Sequence, residues 1–116
     1  MAKKQFNKQE IFSRAKSHLL QQNAKSIINN ACAYRGDNGL KCALGIFIPD
    51  EKYSKFLEYR TPRDPALKDA FEFHISRNYE ISFLRELQEI HDYCEPEEWE
   101  HELGEFAKKH NLTTSE

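Results

Sequence analysis

Long apolar runs are missing from this sequence of 116 residues, and its longest stretch without a polar side chain is the short segment 43–48. A membrane-spanning helix needs about 20 apolar residues. Cysteine is also scarce, because Cys32, Cys42 and Cys94 are an odd number without the dense spacing of a secreted disulfide scaffold. No apolar segment follows the basic amino terminus, as it would in a secretory signal. These absences favour a cytoplasmic protein with free thiols and no membrane partner.

The residues that are present suffice for one modest hydrophobic core. Hydrophobic residues make up 39% of the chain and include eight Phe, five Tyr and one Trp, so enough apolar surface exists to offset the entropy of ordering the chain. The length matches one domain of roughly 100 to 150 residues. We therefore expect a single domain over residues 1–116, with residues 1–6 and 112–116 frayed.

Charge is distributed unevenly along the chain. Residues 1–25 carry six basic side chains and one acidic one, a net charge of +5. Residues 80–105 carry ten acidic side chains and one basic one, a net charge of −9. A solvated helix face is the ordinary explanation of such an acidic run, but its field can also steer a basic partner.

Helix start signals divide much of the chain. Asn7, followed three residues later by Glu10, is typical of a capping box, so the first helix is predicted to begin at Lys8. Pro49 and Pro65 each suit the first position of a helix. The sequence from Pro49 therefore predicts a short helix with its aromatic side chains facing the core.

Two more helices follow in the acidic half. Asn78 suits the cap of the longest helix, and Glu95-Pro96 ends that helix and starts the last one. Apolar side chains recur at helical spacing in both segments, which predicts a broad buried stripe. The inner residues are predicted to be Phe83, Leu84, Leu87, Ile90, His91, Cys94, Trp99, Leu103, Phe106 and Ala107.

One hairpin interrupts the helices. Asn38-Gly39 separates the segments 31–35 and 40–44, and an Asn-Gly pair between such runs is a strong hairpin signal because both residues tolerate positive φ. The loop can hold two or three residues, which leaves the register open. The predicted class is α+β, mostly α, with about five helices packed around one β-hairpin and room for a third short strand at 46–48.

Five parts of the sequence form a recognisable pattern: CAYRG (32–36), GLKCALG (39–45), IPDEKY (48–53), LQEIHD (87–92) and Trp99. In this order they resemble a widespread family of small uncharacterised proteins of bacteria and their phages. The chain departs from that family in the longer region 60–80 and at Ile46. The resemblance implies a bacterial or phage origin and makes the cysteine-containing hairpin a defining feature, but it implies no reaction.

Cys42, His91 and Asp92 occur in the order of a nucleophile, a base and an orienting carboxylate. A nucleophilic cysteine needs a lowered pKa in an exposed, electropositive environment, whereas the helix around His91 is strongly acidic. Adjacent helical residues also point about 100° apart, so Asp92 is expected to orient His91 poorly. We therefore predict no catalytic residue, and a cysteine-dependent enzyme using Cys42 and His91 is the alternative function.

The three cysteines and His91 are also candidates for a zinc site. His91 and Cys94 lie three residues apart on one helix face and could join Cys32 and Cys42 in a Cys₃His set. The hairpin lacks the usual C-x₂₋₄-C spacing of a zinc knuckle. We therefore predict no bound metal and no cofactor.

Tyr34, Arg35 and Lys41 form a basic, aromatic hairpin tip in the predicted fold. Such side chains can stack on a base or hold a phosphate. The chain has a pI of about 6.2 and lacks the broad basic footprint of a nucleic-acid binder. A nucleic-acid partner is therefore not favoured, although these three residues remain candidate binding residues.

The acidic run supplies the other candidate binding residues, Glu97, Glu98 and Glu102. A dense row of carboxylates can imitate a phosphate backbone and occupy the basic surface of another protein. The sequence therefore favours a small, non-catalytic, protein-binding accessory factor of phage or prophage type that inhibits or modulates a host protein. No oligomeric state follows from the residues.

Overall fold

The computed structural model describes residues 3–114. Within that range the chain forms four α-helices and one antiparallel hairpin, which confirms the predicted α+β, mostly α class. No helix in it is long and apolar enough to cross a bilayer. The helices are α1 (Lys8–Gln22), α2 (Pro65–Ala70), α3 (Asn78–Tyr93) and α4 (Trp99–Lys109), and the strands are β1 (Ile27–Ile28) and β2 (Ala31–Cys32). Single turns of 3-10 helix lie at Gly45–Phe47, Asp50–Lys52, Lys55–Leu57 and Pro96–Glu98.

Helix α1 begins where its cap predicts. The side-chain oxygen of Asn7 accepts a hydrogen bond of 3.0 Å from the amide of Glu10, and the first helical residue is Lys8. The helix ends at Gln22 and is capped by Asn23, which has a left-handed backbone (φ 52°) and donates its amide to the Leu19 carbonyl. Its buried residues are Ile11, Phe12, Ala15 and Leu19.

Helices α3 and α4 pack together and complete the core with α1. All the inner residues predicted for these two helices are buried except Cys94, which is partly buried. The cap of α3 is Arg77 rather than Asn78, because the Glu80 carboxylate reaches back to the amides of Ser76 and Arg77 at 2.9 and 3.2 Å. The start of α3 is thus fixed by an acidic residue in its own first turn.

The hairpin lies earlier in the chain than predicted. Its register pairs Ile28 with Ala31 and Ile27 with Cys32. The turn residues Asn29 and Asn30 have φ values of 52° and 67°, as a two-residue type I′ turn requires. The predicted hairpin at 31–35 and 40–44 is therefore wrong in its position along the chain.

At the predicted site only one isolated bridge forms, between Arg35 and Lys41. The turn itself is present, with positive φ at Asn38 (63°) and Gly39 (76°). A ladder does not extend from it, because the amides of residues 34 and 35 donate to the Glu58 carboxylate at 2.9 and 3.1 Å. A side chain from a distant loop therefore replaces the expected strand partner.

The segment after Pro49 is irregular rather than α-helical. Two separate 3-10 turns form there, and Tyr53 and Ser54 between them are extended. The Ile48 carbonyl accepts a hydrogen bond from the Arg35 guanidinium, 2.9 Å away, instead of a strand partner. The predicted helix from Pro49 and the third strand at 46–48 are therefore both absent from the described residues.

Both ends of the described range are hydrogen-bonded, although fraying was expected at 1–6 and 112–116. Lys4 forms a parallel bridge with Phe73. The amide of Thr113 donates to the Gln9 side chain at 3.0 Å, and the Leu112 amide donates to the Ala107 carbonyl at 2.8 Å. Positions 1, 2, 115 and 116 lie outside the described residues.

His18 on α1 attaches the Asn38-Gly39 loop to the core, through a bond of 2.8 Å from its Nε2 to the Lys41 carbonyl. Burial lowers the pKa of His18 below its usual 6.5. The unfolded chain therefore binds this proton more readily, so stability should be lost as the pH falls from about 6.5 through the lowered pKa.

We expect the wild type to lose more unfolding free energy between pH 7.5 and pH 5.5 than His18→Gln, which keeps a donor for the carbonyl but does not titrate. Urea unfolding of both proteins at the two pH values measures the difference. Equal losses would show that His18 does not contribute to the pH dependence.

Candidate functional site

Cys42 is fully buried. Burial raises the pKa of its thiol to about 12, although its Sγ accepts a hydrogen bond of 3.3 Å from the Gly45 amide. A nucleophilic cysteine needs exposure and a depressed pKa. Cys42 has neither property and behaves as a small apolar core residue.

Both ring nitrogens of His91 are already engaged. Nε2 accepts a hydrogen bond of 2.9 Å from the Ser26 amide, which places the proton on Nδ1. Nδ1 then donates to the Asp92 carboxylate at 2.8 Å. Asp92 was expected to orient His91 poorly, but its side chain turns toward the ring and is also held by Gln88 at 2.8 Å. The imidazole has no free nitrogen with which to activate a thiol.

Cys32, rather than Cys42 or Cys94, lies beside this pair. The ligand-type atoms of Cys32, His91 and Asp92 all lie within 4.8 Å of one another. A metal ion would need a lone pair on the imidazole, but one nitrogen is protonated and the other accepts from the Ser26 amide. Burial and the Asp92 carboxylate raise the pKa of Cys32 to about 11. This trio therefore fits a hydrogen-bonded structural cluster better than a metal site.

The predicted basic, aromatic tip does not project into solvent as a unit. Tyr34 is buried and its hydroxyl donates to the Arg60 carbonyl. The Arg35 guanidinium lies over the Tyr53 ring, with its carbon 4.6 Å from the ring centroid, and donates to Asp50 at 2.7 Å. These contacts leave neither side chain free to stack on a base.

The acidic run is only partly neutralised. Glu95 pairs with Lys25 at 3.4 Å, and Glu98 accepts from the Glu95 amide at 2.8 Å. Glu97 and Glu102 make no ion pair with any residue between 3 and 114. The start of α4 therefore keeps a negative surface.

Two neighbouring cavities open beside the hairpin, with volumes of about 250 and 230 Å³. Cys32, Ala33, Glu58 and Tyr59 line both of them. We call the pair the hairpin cleft. The first cavity is completed by Tyr34, residues 60–62 and the α3 residues Arg85, Gln88, Glu89, Asp92 and Tyr93, and the second by Ile28, Asn29, Ala31 and Lys55.

Tyr59 stands between the two cavities in an unfavourable backbone conformation. The Arg60 amide donates to the Leu57 carbonyl at 3.2 Å, and φ and ψ of Glu58 are −64° and 147°. Tyr59 follows with φ of 69°, which is the third position of a type II turn, where glycine or asparagine is usual. A bulky residue there costs roughly 1–3 kcal/mol and is often associated with function.

Two of the most exposed aromatic side chains border the first cavity. Tyr59 is 81% exposed and Tyr93 is 79% exposed. Phe56 was predicted to face the core but is 63% exposed, because a single 3-10 turn forms there instead of the predicted α-helix. Its ring lies under the Arg60 guanidinium, with 3.8 Å between the centroid and the guanidinium carbon. Tyr59, Tyr93 and Arg60 therefore give the first cavity an aromatic and arginine-containing rim.

Comparison of the chain with protein-family models, curated proteins and solved structures gives no match.

Sequence reasoning did not find the cleft. Of its residues, it singled out Cys32, Tyr34 and Asp92 but not Tyr59 or Tyr93. One feature of the segment 57–60 could have pointed to the cleft: it contains no glycine, so a tyrosine occupies the position of the turn that glycine usually takes. That feature can be recognised only when the type II turn is known to form.

Proposed function

We propose that this protein is a non-catalytic protein-binding module and that the hairpin cleft is its binding face. The observation that carries the proposal is the pair Tyr59 and Tyr93, both largely exposed on the rim of one cavity. Tyrosine, tryptophan and arginine dominate the energetically important residues of protein interfaces. Arg85 also lines this cavity, is exposed, and makes no ion pair with the described residues.

The backbone at Tyr59 supports a binding role. Glycine adopts the positive φ of this turn position without strain. The free protein should therefore be more stable with glycine at position 59 than with tyrosine. Tyr59 has an unfavourable backbone conformation and a largely exposed side chain, and a contact with another molecule would explain both.

The resemblance to small bacterial and phage proteins extends the proposal to an accessory factor that modulates a host protein. The negative surface with Glu97 and Glu102 lies just after Tyr93 in the chain and can accelerate encounter with a basic partner. In this arrangement the acidic residues raise the association rate, while the aromatic rim supplies the lasting contacts.

The double variant Tyr59→Gly/Tyr93→Ser should lose partner binding while remaining folded. Removing two aromatic contacts of this kind weakens binding by about 2 kcal/mol or more each, roughly 30-fold per residue. Tyr59→Gly also removes the backbone strain, so thermal stability should not fall. Quantitative affinity purification of tagged wild type and variant from a bacterial lysate measures binding, and thermal unfolding measures stability.

Tyr79→Ser is the matched control, because Tyr79 is 50% exposed and lies on α3 outside the cleft. It should recover the same partners as the wild type. Equal recovery of partners by the double variant and by Tyr79→Ser would contradict the assignment of the cleft as the binding face.

A further inference from the structure

One edge of β2 has no strand partner among residues 3–114, and Cys32 on this strand lines the hairpin cleft. Ile28 and Ala31 flank the two-residue turn and form a hydrogen-bonded pair, and the Ala33 amide donates to the Ser26 carbonyl at 2.9 Å. Bonded and non-bonded pairs alternate in an antiparallel ladder. Cys32, between these two pairs, therefore directs its amide and carbonyl away from β1.

The Tyr34 amide shows which part of the protein lies next to this edge. The Tyr34 amide, two residues along from Cys32, donates to the Glu58 carboxylate at 2.9 Å. β2 ends at Cys32 and the chain bends at Tyr34. Cys32, Glu58 and Tyr59 nevertheless border the same two cavities, so the outward edge of β2 lies beside the loop that carries Glu58 and Tyr59. The Glu58 carboxylate takes the Tyr34 amide, whereas no group of residues 3–114 forms a hydrogen bond with the amide or the carbonyl of Cys32.

The two cavities fit an extended chain lying along this edge. Cys32 and Ala33 border both cavities, whereas residues of α3 border only the first and Ile28 and Ala31 border only the second. Successive side chains of an added strand point alternately to its two sides. An extended segment bound to Cys32 can therefore place neighbouring side chains in different cavities.

The second cavity also has a cation without an ion-pair partner among residues 3–114. Lys55 is exposed and makes no ion pair with any residue of the described range. The other charged side chain of that cavity, Glu58, accepts hydrogen bonds from two backbone amides and from the Tyr53 hydroxyl. An acidic side chain in the bound segment would complement Lys55.

We propose that the hairpin cleft takes an extended peptide segment of a partner protein, which adds as a strand to the free edge of β2 at Cys32 and directs a carboxylate to Lys55. This inference rests on the proposed binding function of the cleft. It names a mode of recognition in which main-chain hydrogen bonds give affinity and pockets for side chains give selectivity.

The test uses a phage-displayed library of random 12-residue peptides, selected on the full chain. Peptides that bind should carry an acidic residue beside apolar ones at alternate positions. Their affinities are then measured for Cys32→Pro and Cys32→Ala, which both lack the thiol but differ in the backbone amide. Proline is tolerated on a strand edge where the N–H faces away from the ladder. Cys32→Pro should bind at least about tenfold more weakly than Cys32→Ala.

Lys55→Glu should weaken the same peptides by about fivefold or more, and it should strengthen peptides in which the acidic residue is replaced by lysine. Amide hydrogen exchange in the wild type gives a readout independent of any folding defect of the proline variant. The Cys32 amide should exchange rapidly in the free protein and become protected when peptide binds.

The outcomes separate this inference from the proposed function. Peptides that lose binding to Tyr59→Gly/Tyr93→Ser but bind Cys32→Pro and Cys32→Ala equally, without protecting the Cys32 amide, would overturn strand addition and leave the cleft as a binding face. Peptides that bind Tyr59→Gly/Tyr93→Ser as tightly as the wild type and leave the Cys32 amide unprotected, or a library without any binder, would overturn both.

Discussion

Gly45→Ala should strongly lower the stability of the protein. A Cβ at position 45 would lie 2.0 Å from the backbone oxygen of Tyr34 and 2.9 Å from its carbonyl carbon. Both segments are buried and linked by a hydrogen bond from the Cys42 amide to the same Tyr34 oxygen. The clash can therefore be relieved only by moving backbone, which should cost about 3–5 kcal/mol.

A loss of that size is a large fraction of the roughly 5–15 kcal/mol by which domains are stable, and it should lower Tm by about 15 °C. Gly104→Ala is the matched control. Nothing lies within 4 Å of a Cβ at position 104, inside α4, so this variant should gain about 0.5–1 kcal/mol from helix propensity. Thermal and urea unfolding measure both changes. A Gly45→Ala protein as stable as the wild type would contradict the close packing of residues 34 and 45.

The helices could be predicted because their signals are local. Asn7 and Asp64 cap the helices that follow them, by accepting from the amides of Glu10 and Ala66. Such contacts span two or three residues and need no knowledge of the rest of the fold. The start of α3 was missed by one position, because a carboxylate in its first turn competes with asparagine as the capping group.

The position of the hairpin could not be predicted, because a distant residue decides it. Asn29-Asn30 and Asn38-Gly39 both form turns with positive φ, and the second pair is the stronger hairpin signal in a sequence. Glu58 lies more than 20 residues from Tyr34 and Arg35, yet its carboxylate takes their amides. Strand pairing therefore stops beside the stronger turn.

The candidate site depends on the loop that carries Glu58 and Tyr59. The sequence gives Tyr59 and Tyr93 no property that separates them from core aromatics such as Phe83. Their exposure follows from a type II turn at one position and from the end of α3 at the other. The sequence prediction grouped Cys42, His91 and Asp92. His91 and Asp92 do lie together, but the cysteine beside them is Cys32, and both ring nitrogens of His91 are already hydrogen-bonded.

His91→Ala should destabilise the protein by about 3–5 kcal/mol. The substitution opens a cavity in a fully buried site, where the imidazole stacks on the Trp99 ring with centroids 5.5 Å apart. It also leaves the Ser26 amide without its acceptor, and Ser26 is itself fully buried. A buried amide without a partner adds about 1–3 kcal/mol to the cost of the cavity.

Asp92→Asn separates this structural role from a role in chemistry. Asparagine keeps an oxygen that can accept from Nδ1 of His91 and from Gln88, so the loss of stability should stay below about 1 kcal/mol. Urea unfolding compares the two variants, and exchange of the Ser26 amide reports directly on the contact to Nε2. Slow exchange of that amide in a stable His91→Ala protein would mean that another group supports it. The expected result is rapid exchange of the Ser26 amide and a large loss of stability in His91→Ala, with the stability of Asp92→Asn nearly unchanged. That result would establish that His91 fixes the chain before β1 to α3. His91 would thereby set the position of the hairpin edge that borders the cleft.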